Sequence, residues 1–184
     1  MERLDPRARS DIYGLRINRA PDPWRVRGVP YASIMLGSLL PVLLIADLMP
    51  LLPSFGFLML LAWRMVRPGL LPLWAGAPLG AFDDLVSGQP FGSAILLWSL
   101  TMIAIEIIET RFPWRDFGHD WFTASVLALS YWLAALLVSG AGVTPEMITA
   151  AAPQALLSVL LYPIIAHMVA GLDRFRLSRA RTID

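Results

Sequence analysis

Apolar residues arrive along this chain in long runs, each closed by a short break of proline, glycine or charge, and the lengths of the runs set the elements. Val29 to Met49 predicts a first helix, with Pro41 inside it and Asp47 near its far end, and Pro50 and Pro53 make the turn. A short second helix, Leu51 to Val66, finishes in Trp63, Arg64, Arg67 and Pro68, the aromatic and basic ending expected at a membrane surface. The third, Leu70 to Val86, holds Pro72, Pro78 and glycines, which predicts a bent or locally unwound helix. Ser87 to Gly92 is a tight turn by its Gly and Pro content. The fourth, Ser93 to Thr110, is the most regular apolar run and carries Glu106 and Glu109 one turn apart near its end. After an aromatic loop, Arg111 to Asp120, a fifth helix covers Trp121 to Val138. Thr144, Pro145 and Glu146 start the last: a hydroxyl cap, proline in the first turn and an acid at the positive end of the dipole. It runs to Leu172, longer than a hydrocarbon core of roughly 30 Å requires, which places its turns before Pro153 in the interface and a kink at Pro163.

Composition turns these runs into membrane spans. Of 184 residues, 57% are hydrophobic and 16% charged, and the mean hydropathy is +0.61, outside the range of a soluble globular domain. A crossing takes on the order of 20 apolar residues, so the chain holds about six crossings and no separate soluble domain. The expected organisation is an arginine-rich tail over 1–28, a six-helix all-α transmembrane domain over 29–172 and a basic tail over 173–184. The apolar run begins too late for a signal peptide. The fifteen basic residues are all arginine, and they divide as seven in the N-terminal tail, two at the second connection, two at the fourth and four in the C-terminal tail. The other side receives none, so the positive-inside rule predicts both termini in the cytoplasm, with outer connections near Pro50, Gly88 and Gly140.

The stretch Gly76 to Gly92 carries the candidate chemistry. Gly76 and Gly80 share a helical stripe, with Asp83 close to it and Asp84 just beyond. A smooth face that carries carboxylates belongs against protein or a wet cavity. The plainer alternative is a packed Gly/Ala helix whose aspartates sit in interfacial water. By depth, Asp47, Asp83 and Asp84 lie toward the outer side, where no arginine is available. They must be protonated, hydrated, held by backbone donors or matched by a cation from elsewhere, and Asp84 is expected to find its partner in another chain or in trapped water. Glu106 and Glu109 lie toward the cytoplasm, and an ion pair of Glu106 with Arg64 or Arg111 is the ordinary expectation.

Enzyme chemistry finds no support. Cysteine is absent, Ser87 and Ser139 lie at the opposite depth from His167, and His119 with Asp120 lacks zinc-ligand spacing. No catalytic residue, cofactor or metal site is expected, and a net charge of +1 implies nothing about nucleic acid. Tyr131 with Trp132 and Tyr162 with Pro163 read as packing residues.

From Pro53 to the end of the last helix, the chain resembles the MreD family of bacterial rod-shape-determining membrane proteins. Trp63 and Pro68, then Gly76, Gly80, Asp84, Ser87, Gly88 and Gly92, look like the family's W…P followed by G…D-L-x-S-G-x-x-x-G; Pro145 and Glu146 leading to Tyr162 and Pro163 form a weaker second match. Asp83 stands where an apolar residue is usual. The resemblance implies a non-enzymatic inner-membrane scaffold of the cell-elongation machinery, partnered with MreC and working beside MreB, RodA and a class B penicillin-binding protein. It makes Gly76, Gly80, Asp84, Ser87, Gly88 and Gly92 the partner-binding candidates. The family is also similar in architecture to the six-helix substrate-binding subunits of energy-coupling-factor transporters, which supplies the alternative: a small-molecule-binding membrane subunit. A scaffold should show few polar groups converging in the bundle, and a binding subunit should show several lining one pocket. Beyond Ser99, Thr101 and Ser158, few polar residues fall at mid-depth, which favours the scaffold.

Overall fold

The computed structural model describes residues 23–44, 52–112, 116–138 and 144–177. Among them there is helix and no strand: α1 (Pro23–Leu44), α2 (Phe55–Val66), a 3-10 turn (Leu73–Ala75), α3 (Gly76–Ser87), α4 (Ser93–Arg111), α5 (Phe117–Val138) and α6 (Pro145–Leu177). Four helices, α1, α4, α5 and α6, are long and apolar enough to cross a membrane, and α2 is a shorter apolar one. The expected third span is broken as its prolines require. Pro72 is extended, a 3-10 turn follows, and only Gly76 onward is α-helical.

Besides the broken third span, three helix starts differ from the sequence expectation, and α2 begins at Phe55 and not at Leu51. α1 begins at Pro23, so the first turns of the helix occupy 23–28, where a tail was expected. Proline's fixed φ suits a first helical turn, so Pro23 opens the helix instead of breaking it. α5 starts at Phe117, taking His119 and Asp120 out of the expected loop. α6 is continuous through Pro153 and Pro163 for 33 residues, about 50 Å at 1.5 Å per residue, and ends at Leu177. Asp47, Pro50, Trp114, Ser139 and Gly140 lie outside the described residues.

The bundle is arranged around α2. Every residue from Gly56 to Met65 is buried, as an apolar-all-round helix must be when other helices enclose it. Trp63 and Arg64, expected as a surface ending, therefore turn inward; Trp63 is fully buried and Arg64 is 2% exposed. α1 can approach α2 closely because both backbones are bare at the crossing. A Cβ on Gly56 would stand 2.1 Å from Ser38 Oγ, and one on Gly37 would stand 2.9 Å from Met59 Sδ. Phe57 stacks on Tyr131 of α5 at 4.1 Å between ring centroids and tilts against Trp98 of α4 at 5.9 Å. The opposite faces of α4, α5 and α6 expose apolar rows such as Leu96, Leu100, Ile103 and Ile107. Their spacing of four, three and four is one helical stripe, fit for lipid.

Candidate functional site

The unit from Gly76 to Ala94 folds around Asp84. α3 ends at Gly88, whose φ of 70° is left-handed, and Gly92 at φ 100° precedes α4. A side chain at either φ would be strained, which is why this turn uses glycine. The turn brings the start of α4 back onto the Asp84 carboxylate. Oδ2 accepts from the Gly92 amide at 2.8 Å and the Ile95 amide at 3.3 Å, and Oδ1 accepts from the Ala94 amide at 2.8 Å and the Ser93 hydroxyl at 3.0 Å. The first amides of a helix have no partner within it, and the dipole there favours an anion. Asp84 supplies both needs from a neighbouring helix. Of the options open to an outer acid, the one realised is backbone donors, and they come from this same chain, not from another one.

The glycine stripe is occupied by the same contact. A Cβ on Gly80 would stand 2.6 Å from Ala94 O and 2.8 Å from Ile95 N, and one on Gly76 would stand 3.0 Å from Trp98 O. Both glycines thus face the backbone of α4, and the surface expected to meet a neighbouring protein is an internal helix crossing.

Away from this turn, charge closes the other end of the bundle. Arg64 Nη2 donates to Glu106 at 2.6 Å and Glu109 at 2.9 Å, while Nη1 donates to Leu71 O at 3.1 Å. The expected Glu106 pair is present, and Glu109 shares the guanidinium. Asp173, whose partners the sequence did not reveal, accepts from Arg67 Nε at 2.8 Å and Arg176 Nε at 2.7 Å. Arg176 also reaches Val26 O and lies over Trp63, 5.7 Å from the ring centroid. Trp63 Nε1 donates to Ser33 Oγ at 2.8 Å, and that hydroxyl donates to Pro30 O at 2.9 Å. Pro68 sits in the turn before Gly69, itself at φ 79°. Tyr162 is buried on α6 and precedes Pro163 in the helix.

Asp83 has a different environment. It is 3% exposed, and its Oδ2 has no hydrogen-bond partner in the protein. It lines a cavity of about 260 Å3 with Ser38, Ser54, Ser87, Gln89 and Gln154. A second cavity of about 190 Å3 shares Ser54, Gln89 and Gln154 and adds Phe57, Tyr131 and Trp132. Ser38, Ser54 and Ser87 Oγ, Tyr131 OH and Trp132 Nε1 are likewise buried without a hydrogen-bond partner. Of the mid-depth hydroxyls singled out in the sequence, Ser158 lines the second cavity and Ser99 and Thr101 line neither. Ser99, Thr101 and Ser158 each donate to a carbonyl four residues back in their own helix. What sequence reading missed is that Ser38 inside α1, Ser54 at the cap of α2 and Ser87 at the end of α3 line one cavity, and no linear signal joined them. No family model matches the chain, and no solved structure matches it.

Proposed function

We propose that this chain is a non-enzymatic, six-span inner-membrane scaffold of the MreD type, with both termini in the cytoplasm, that binds MreC in the cell-elongation machinery. The observation that supports the reading is the unity of its motif. Gly76, Gly80, Asp84, Ser87, Gly88 and Gly92 are spread over seventeen residues, yet they belong to one helix–turn–helix unit, and all but Ser87 have a defined backbone task in it. A chance likeness has no reason to select residues that cooperate. With the glycine stripe packed inside, the partner's transmembrane segment meets outward apolar faces such as that of α4. Co-purification of detergent-solubilised protein with MreC tests the reading. Recovery of MreC from membranes is expected, and its absence at normal expression would remove the scaffold role.

A specific observation favours a second reading, a small-molecule-binding membrane subunit. Several polar side chains do line adjoining cavities at one end of the bundle. The two readings are compatible in one chain, because the cavities are clefts at one end of the bundle and the apolar rows run along its outer faces.

A further inference from the structure

We infer that the paired cavities form a binding site for a small organic cation, a primary ammonium carrying a compact apolar body, with the ammonium on Asp83 and the body between Phe57, Tyr131 and Trp132. The inference stands on the cavities alone and does not need the scaffold role.

The charge comes first. Asp83 is nine-tenths buried, is one of the residues lining the larger cavity, and lacks a partner on Oδ2. No arginine or histidine is among the described residues lining either cavity, and the chain contains no lysine. Ser38 is the side-chain hydroxyl in range of Asp83, and its Oγ does not reach hydrogen-bonding geometry. Asp84, the adjacent acid, is fully engaged by the start of α4 and brings negative charge, not positive. An anionic ligand would therefore meet a carboxylate with nothing to offset it, whereas a cation would supply the missing charge.

The shape of the donor set narrows the cation. An ammonium offers three N–H donors, and three residues lining this cavity each carry a buried acceptor without a partner: Asp83 Oδ2, Ser38 Oγ and Ser87 Oγ. Water could satisfy the hydroxyls, but it brings no charge to the carboxylate. A bare inorganic ion would fill the polar cavity and leave the aromatic one beside it vacant. That second cavity is walled by the stacked Phe57 and Tyr131 rings, with Trp132, Ala135 and Leu136, a lining suited to a hydrocarbon or aryl group. Ser54, Gln89 and Gln154 belong to both walls, so one molecule can place its two ends in the two cavities.

The test uses the full chain purified in detergent, with thermal unfolding read against defined probes at neutral pH. The expected result is that 2-phenylethylammonium raises the midpoint by at least about 5 °C at about 100 times its Kd. The neutral 2-phenylethanol, the anion phenylacetate and sodium chloride at the same concentration should each leave it unmoved. Asp83→Asn should fold, because it removes an uncompensated buried charge, and should lose the ammonium response. Ser87→Ala should keep the fold and weaken the response about tenfold in Kd, providing the decision if Asp83→Asn does not accumulate. Absence of any amine response in the unaltered chain overturns the inference. So does an equal response to the alcohol, an equal response to sodium, which would mean an inorganic ion only, or an unchanged response in both variants. Loss of MreC co-purification has no bearing on these titrations.

Discussion

Asp84 closes the N-terminus of α4 through Ala94, its Oδ1 lying 2.8 Å from the Ala94 amide, so the acid at the centre of the sequence motif is a helix cap supplied from the preceding helix. Both oxygens are acceptors, for two amides on one and an amide and a hydroxyl on the other. Asparagine has a single oxygen, and its NH2 would face donors. Asp84→Asn is therefore expected to destabilise the chain nearly as much as Asp84→Ala, with about 1–3 kcal/mol for each buried donor left unpaired. Thermal midpoints of the two variants in detergent check this. A midpoint for Asn matching the unaltered chain would mean that α4 does not depend on the second oxygen.

Gly80 is the position least tolerant of a side chain. The atoms a Cβ would strike, Ala94 O at 2.6 Å, Ala94 C at 2.7 Å and Ile95 N at 2.8 Å, are all backbone and cannot turn aside. At Gly76 the contacts begin at 3.0 Å and include the flexible Met102 side chain. Gly80→Ala should cost about 1–3 kcal/mol more than Gly76→Ala through forced separation of α3 and α4. Equal midpoints for the two would show that the crossing can open. Because the damage is to the fold, loss of a partner in a Gly80 variant is evidence about a binding surface only at matched folded levels.

How much of this was legible in the sequence follows from what each signal depends on. The helices were legible because a run of apolar residues is a local property, and so was the break before Gly76, since Pro72 acts on its own backbone. The Arg64–Glu106 pair was legible because few partners exist at that depth. Burial of Trp63 and Arg64 was not, because whether a helix lies at the rim or the centre depends on neighbouring helices that no local pattern encodes. Asp84 stands out in the sequence, but its partners do not, because the turn that folds Ala94 back onto it depends on left-handed φ at Gly88 and Gly92 together. The Asp83 cavity was least legible of all, since Ser38 lies in α1, Ser54 at the cap of α2 and Gln154 in α6, and none carries a motif.

Arg64 holds α2 to α4 from the interior. Its guanidinium is buried and answered by Glu106, 46% exposed, and Glu109, 14% exposed. Arg64→Leu removes the buried guanidinium that both carboxylates share and is expected to cost about 3–5 kcal/mol. Glu106→Gln should cost far less, because water already screens that carboxylate. Arg64→Leu combined with Glu109→Leu should recover part of the loss, since an apolar pair can replace a buried ionic one. Additive losses in a double-mutant cycle would show that the two residues are not coupled.

The two ends of the bundle differ in charge, and that difference fixes how it should sit in a membrane. Arg64, Arg67 and Arg176 are gathered at one end with Glu106, Glu109 and Asp173, while among the described residues Asp83 lines its cavity at the other end with no arginine beside it. Among the described residues, Arg25 and Arg27 lie in the first turns of α1, and Arg64, Arg111, Arg174 and Arg176 in the last turns of α2, α4 and α6. Arginine is retained on the cytoplasmic side during insertion, so the Asp83 end should face outward. The chain has no cysteine, so single reporters can be introduced without background. A cysteine replacing Gly140 should react with a membrane-impermeant maleimide on intact cells, and one replacing Arg181 should react only after the membrane is opened. Labelling of both from outside would mean an odd number of crossings. The reverse pattern would put the Asp83 cavity on the cytoplasmic side, where any cation reaching it would come from within the cell.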